Sequence, residues 1–144
     1  MLSRILHKAD LKPDTLFVLD GLGALISALF LGFILVRFEH IVGIPATTLY
    51  FLAVFPLFFF FFDLYCLKRN EKSTGKLLTV LAFFNFGYCL ISLSFAIYHR
   101  ASLSAYGWIY ISVELVILLV LARVEFYAGK KIIRQEKHNS KQTK

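Results

Sequence analysis

Residues 47–69 read TTLYFLAVFPLFFFFFDLYCLKR, and Asp63 is the one carboxylate in an otherwise apolar run that stops at Lys68 and Arg69. About 20 residues of this kind reach across a ~30 Å hydrocarbon layer at 1.5 Å of rise per residue. Lipid offers no partners to backbone N–H and C=O groups, so such a run crosses as a helix. From first to last, the five consecutive phenylalanines 58–62 turn through about 400° around that helix, so some face protein and others face lipid. Pro56 is expected to loosen or kink the helix.

The pattern occurs four times, over residues 15–36, 47–67, 77–98 and 104–127. Pro13, Asp14 and Thr15 mark the start of the first run, and Arg37, Glu39 and His40 mark its end. Arg100 and the basic Lys130, Lys131 pair bound the others. The first run is too long for the apolar region of a cleavable signal and carries Asp20 inside it. The expected fold is therefore all-α: a polytopic four-helix antiparallel membrane bundle forming a single domain over 1–131. Residues 2–12 place Leu2, Ile5, Leu6 and Ala9 on one face, which leaves two readings open: a helix lying on the membrane surface or a frayed tail. The basic tail 132–144 is expected to be disordered.

Composition agrees with a membrane class. The 144 residues are 58% apolar and 17% aromatic, with a mean hydropathy of +0.70. The net charge of +7 does not indicate nucleic acid, because the cations sit in short connections and tails beside the apolar runs. Arg37 and Arg100 are alone on one side. The other side holds Arg4, Lys8 and Lys12, the group Lys68, Arg69, Lys72 and Lys76, and the basic residues from Arg123 onward. That asymmetry predicts cytoplasmic N- and C-termini. Tyr50, Tyr98, Tyr106 and Trp108 fall at the expected outer interface, Tyr65 and Tyr127 at the inner one.

Charged or amide side chains inside the spans are costly, and they turn toward protein or water. The candidates are Asp20, Asp63, Asn85 and Glu114, with Arg123, Glu125, Lys68 and Arg69 as charges of the inner interface. Asp20 and Asp63 each lie about five residues, or roughly 7 Å, from the inner surface, while Asn85 and Glu114 lie near the midplane. Asp20, Ala24, Ser27, Ala28 and Leu31 share a face. So do Asn85, Cys89, Ser92 and Ala96, and likewise Glu114, Leu118, Leu121 and Glu125. Two readings stay open. The four interior polar residues line a cytoplasm-facing pocket for a proton, cation or polar head group. Alternatively, Asp20 and Asp63 reach interfacial water and the Lys68 and Arg69 charges, while Asn85 and Glu114 share a hydrogen bond between spans three and four.

Other chemistries lack their residues. Cys66 and Cys89 lie about 20 Å apart in depth, beyond the roughly 7 Å a disulfide allows, so both are expected to be free. The four histidines, His7, His40, His99 and His138, fall in tails or loops, which gives no intramembrane haem ligands. Zinc-ligand spacing, a nucleophile elbow and a phosphate-binding glycine loop are also missing. No cofactor, metal or catalytic residue is expected.

The stretch 103–131 places Leu103, Gly107, Glu114, Arg123, Glu125 and the Lys130, Lys131 pair at set intervals. Together with LDGLGALISALFL at 19–31, Ile44 and Pro45, and Asn85 in FFNFGYCLISL, it resembles a group of small, largely uncharacterised bacterial four-helix membrane proteins. Arg123 departs from that group's pattern, which has an acid or amide there. The resemblance implies a bacterial inner-membrane location and the four-span architecture, and no activity. The leading functional expectation is a non-enzymatic accessory subunit or self-associating bundle, whose partners are the lipid bilayer, itself or a larger membrane complex. The alternative is a small proton-coupled transporter using Glu114. A lipid- or isoprenoid-modifying enzyme with Asp20, Asp63 and Glu114 as acids and bases is the weaker third.

Overall fold

The structure, a computed structural model, describes residues 12–68 and 74–142, with side chains to residue 138. Apart from Lys12, the surface helix or frayed tail expected at 2–12 lies outside the described residues, as does Arg69. Every described secondary-structure element is helical. α1 covers Pro13–Leu29 and passes without interruption into a π-helical segment, Phe30–Leu35. A short α2, Glu39–Val42, leads to α3 (Ala46–Leu67), α4 (Thr74–Tyr98) and α5 (Ala105–Gln142). Four of these helical stretches are long and apolar enough to cross a membrane: 13–35, 46–67, 74–98 and 105–138.

Local signals account for the ends. Pro13 occupies the first turn of α1, where its missing N–H costs nothing. Gly43 closes α2 with φ +83°, a left-handed conformation that favours glycine. A Cβ there would also meet the Ser102 carbonyl oxygen, so the connection has no room for a side chain. Glu39 Oε2 accepts a 2.8 Å bond from the Ala46 N–H and caps α3. Ser104 Oγ does the same for α5 through the Gly107 N–H at 3.2 Å. The two connections at this end are bonded to each other, Ser104 N–H donating to the Val42 carbonyl and Ser102 Oγ to that of Gly43.

The interior face of α3 is a stripe of Leu49, Leu52, Pro56, Phe59, Asp63 and Cys66 at alternating spacings of three and four. α3 runs through Pro56 as one element. The phenylalanine run divides as the helical angle requires: Phe59 is buried, whereas Phe58 and Phe61 are exposed. α4 buries Asn85, Cys89, Ser92 and Ala96 along one face. Large apolar side chains such as Phe33, Val54, Phe83, Ile109 and Val116 cover the outside. That is the surface of a protein solvated by lipid. Both cysteines are free and buried.

The far end of α5 departs from expectation. The fourth helix was expected to end at 127 with disorder from 132, yet it continues to Gln142. Gly129 does not stop it, because that glycine serves a close approach to Gly75 of α4. The residues after it contain no further glycine or proline and are mostly good helix formers. Extending an existing helix also avoids the cost of nucleation.

The buried apolar side chains form two clusters. One, around Leu16, Phe17, Cys66, Leu78 and Leu81, fills the end near the start of α1. The other, around Leu31, Leu49, Leu52, Phe59, Ala96 and Ile111, fills the remainder. The buried acids and Asn85 lie in and between them.

Candidate functional site

Each polar residue reaches the interior by belonging to an otherwise apolar buried stripe. Asp20 follows Leu16 and Phe17 on α1, and Asp63 sits one turn beyond Phe59 on α3. Asn85 lies between Ala82 and Tyr88 on α4. On α5, Ile111, Glu114, Ala122 and Glu125 are buried at helical spacing.

The first centre joins four helices. Asn85 Nδ2 donates to Asp20 Oδ1 and to Glu125 Oε2, both at 3.1 Å. The carboxyls of Asp63 and Glu125 lie beside that of Asp20. Gly21 makes this approach possible, since a Cβ on it would stand 3.2 Å from that of Asp63. All four polar residues are at most 2% exposed. One oxygen of Asp20, one of Glu125 and both of Asp63 have no donor. Three carboxyls and one amide thus share one buried site, where a proton between two acids would both supply a missing donor and remove like-charge repulsion.

The second centre is Glu114. Its Oε1 accepts from Tyr110 OH at 3.2 Å and from Tyr88 OH at 3.4 Å, while Oε2 has no partner. Ser27 of α1 lies beside the same carboxyl.

A cavity of about 250 Å³ connects the two centres. Asp20, Asn85, Ser27, Tyr88, Tyr110 and Glu114 give its polar wall, and no lysine, arginine or histidine lines it. The lining residues that are also exposed on the molecular surface are Ile26, Phe30, Val113 and Ile117. All belong to α1, its π-helical continuation or α5, so the cavity opens between the first and last helices onto the lipid-facing surface.

The expected arrangement needs three corrections. Asn85 and Glu114 share no hydrogen bond. Asn85 stands level with Glu125, which is eleven residues and about 16 Å along α5 from Glu114. Glu125 is not an interfacial charge but fully buried, at 0% exposure. Asp63 does not reach water or Lys68: it is 1% exposed, and a layer of Leu16, Phe17, Cys66 and Leu78 lies beyond it. Five residues turn a helix by about 140° from its starting direction, which leaves Lys68 on the outside. Arg123 is exposed, as its angle from Glu114 predicts.

Sequence reasoning missed Tyr88 and Tyr110 as partners of Glu114. The available signal was spacing, since Tyr110 precedes Glu114 by four residues and Tyr88 follows Asn85 by three. Among the described residues, no three His, Cys, Asp or Glu side chains form a group suited to a metal ion. No protein-family model, curated protein or solved structure matches the chain.

Proposed function

We propose that this chain is a small proton-coupled membrane transporter for cationic, partly apolar molecules, with Glu114 as the coupling carboxyl. One observation carries the reading. Glu114 lies on an intramembrane cavity with one oxygen unpartnered, and no basic side chain lines that cavity. A buried acid is costly in a bilayer, and a helix bundle that only packs against a partner has no use for one beside an interior cavity. A cation arriving at Glu114 replaces a proton there, and the proton's return expels the cation. Tyr88 and Tyr110 hold the carboxyl in place through either state. We propose no catalytic role for the acids.

The architecture that goes with this reading is an antiparallel bundle in the bacterial inner membrane, with both termini cytoplasmic. Pairings that run in opposite chain directions favour it: Gly21 with Asp63 and Gly32 with Ala53, then Gly75 with Gly129 and Tyr88 with Glu114. The excess of lysine and arginine at the end carrying both termini favours the orientation. An accessory or self-associating role is the second reading, drawn from how few described residues lie outside the four long helices.

The test is transport in liposomes. A proton gradient should drive uptake of a lipophilic amine by the purified protein, and Glu114→Gln should abolish uptake while preserving the fold. An inert wild-type protein that copurifies stoichiometrically with a larger membrane complex would establish the accessory role instead.

A further inference from the structure

We infer that the outer face of α4 and α5 carries a binding site for one anionic phospholipid. Its phosphate lies on Arg123, Lys130 and Arg134, and an acyl chain fills the apolar groove beside them. The inference does not rest on the transport reading and concerns a surface away from the interior cavity. α5 continues unbroken past Gly129 to Gln142. Arg123, Lys130 and Arg134 follow one another on it at intervals of seven and four, so they share one face, with Phe126 and Tyr127 between them. All three basic residues are exposed, which leaves their charged groups open to a ligand.

Two grooves meet on this face. One is basic and aromatic, with Arg123, Phe126, Tyr127, Lys130 and Arg134 in its lining. The other is apolar and lies between α4 and α5. The buried Ala82 and Ala122 form its floor, and the exposed Phe83, Phe86 and Leu119 form its walls. Arg123 and Phe126 belong to both linings, so the grooves adjoin. Phe126 is held at the boundary, its ring edge-on to that of Phe83 with centroids 6.0 Å apart. Lys130 Nζ lies 4.3 Å from the same ring centroid, which sets its ammonium where the two grooves meet.

These cations lack an anion within the protein. No acid lines either groove. Glu125, two residues from Arg123, is buried on the inward face, and Glu136 falls about 140° around the helix from Arg123. Among the described residues, no carboxylate forms an ion pair with Arg123, Lys130 or Arg134. An unpaired cation on a lipid-facing helix is costly, and its long side chain reaches toward the level of the phosphates. A lipid phosphate accepts from the guanidinium fork while its chain covers the alanine floor. A zwitterionic lipid brings its own ammonium beside the phosphate and gains less from three cations. A soluble phosphate leaves the apolar groove uncovered.

The experiment is native mass spectrometry of the full chain released from detergent micelles, with dioleoyl phosphatidylglycerol and dioleoyl phosphatidylcholine in competition. One phosphatidylglycerol should stay bound per chain, preferred at least ~10-fold, as basic residues close to a phosphate supply. Arg123→Gln combined with Lys130→Gln should erase the preference. Lys12→Gln combined with Lys68→Gln removes the same charge from residues that line neither groove, and should leave the preference within about twofold. Phe86→Ala with Leu119→Ala lowers the walls without touching a charge and should weaken retention about threefold or more. Both side chains are about half exposed, at 49% and 46%, so the fold tolerates their loss. Equal losses in the two charge pairs would reduce the effect to a diffuse field and overturn the site, as would a wild-type chain without preference. Retention unchanged by the wall substitutions overturns the acyl groove. Displacement of the lipid by excess inorganic phosphate gives the basic face to a soluble anion instead. A lipid-free dimer that dissociates on substitution of Arg123 and Lys130 gives it to a second copy of the chain.

Discussion

Asn85 is the residue on which the three-acid centre turns, because its two amide hydrogens are the only donors it offers to Asp20 and Glu125. Asn85→Ala leaves two buried acceptors bare and should destabilise the protein by about 1–2 kcal/mol, given that intramembrane hydrogen bonds are weaker than the full cost of an orphaned group. Reversible unfolding in mixed micelles measures the effect. Asp63→Asn should act in the opposite sense. It removes one of three crowded acids and adds two amide hydrogens where both oxygens now lack a donor. A gain of ~1 kcal/mol is expected, and a loss of similar size would mean that Asp63 has a partner of its own. Helical angle alone was enough to turn Asp20, Asn85 and Glu114 inward from the sequence. Depth was not, because counting residues from the ends of an apolar run ignores the second apolar layer that seals Asp63 and Glu125 from the surface. The tyrosines at Glu114 escaped notice because in an apolar span a tyrosine reads as one more aromatic ring.

At the scale of helices, the first three spans and the start of the fourth were legible within a few residues because lipid permits only one response to an apolar run of that length. The π-helical segment 30–35 was not, since its composition is the same as that of the α-helix it continues. Nor was the contact between α4 and α5, which depends on two glycines in different helices. A Cβ on Gly129 would stand 2.7 Å from the Gly75 carbonyl oxygen and 2.6 Å from Thr79 Oγ1. Gly129→Ala should therefore push the helices apart and cost ~2 kcal/mol, as overpacking does. Gly87 has open space around it in the same helix pair, so Gly87→Ala should gain up to ~1 kcal/mol from helix propensity. Opposite signs for the two substitutions in one unfolding assay would separate packing from propensity. A loss at both would show that the Gly129 effect is not one of close approach.

For the whole molecule, orientation decides what the two centres do. The three-acid centre lies toward the end where α1 and α4 begin, since it borders the cluster of Leu16, Cys66 and Leu78. Glu114 lies farther from that end, about 16 Å along α5 from Glu125. On the proposed transport reading, with both termini cytoplasmic, Asp20 faces the inner leaflet and Glu114 the middle of the bilayer, so a proton from the cytoplasm would meet Asp20 and its neighbours before Glu114. The lysine and arginine asymmetry favours this orientation, and labelling of introduced cysteines tests it. Ala101 is exposed in the connection between α4 and α5, and Gln135 is exposed on the far part of α5. The native Cys66 and Cys89 are only 4% and 5% exposed, so they add little background. In intact cells a membrane-impermeant maleimide should label Ala101→Cys at once and Gln135→Cys only after permeabilisation. The reverse pattern would turn the three-acid centre outward. Protons from a more acidic exterior would then reach Asp20 and its neighbours before Glu114, and the coupling sequence would have to run in the opposite direction.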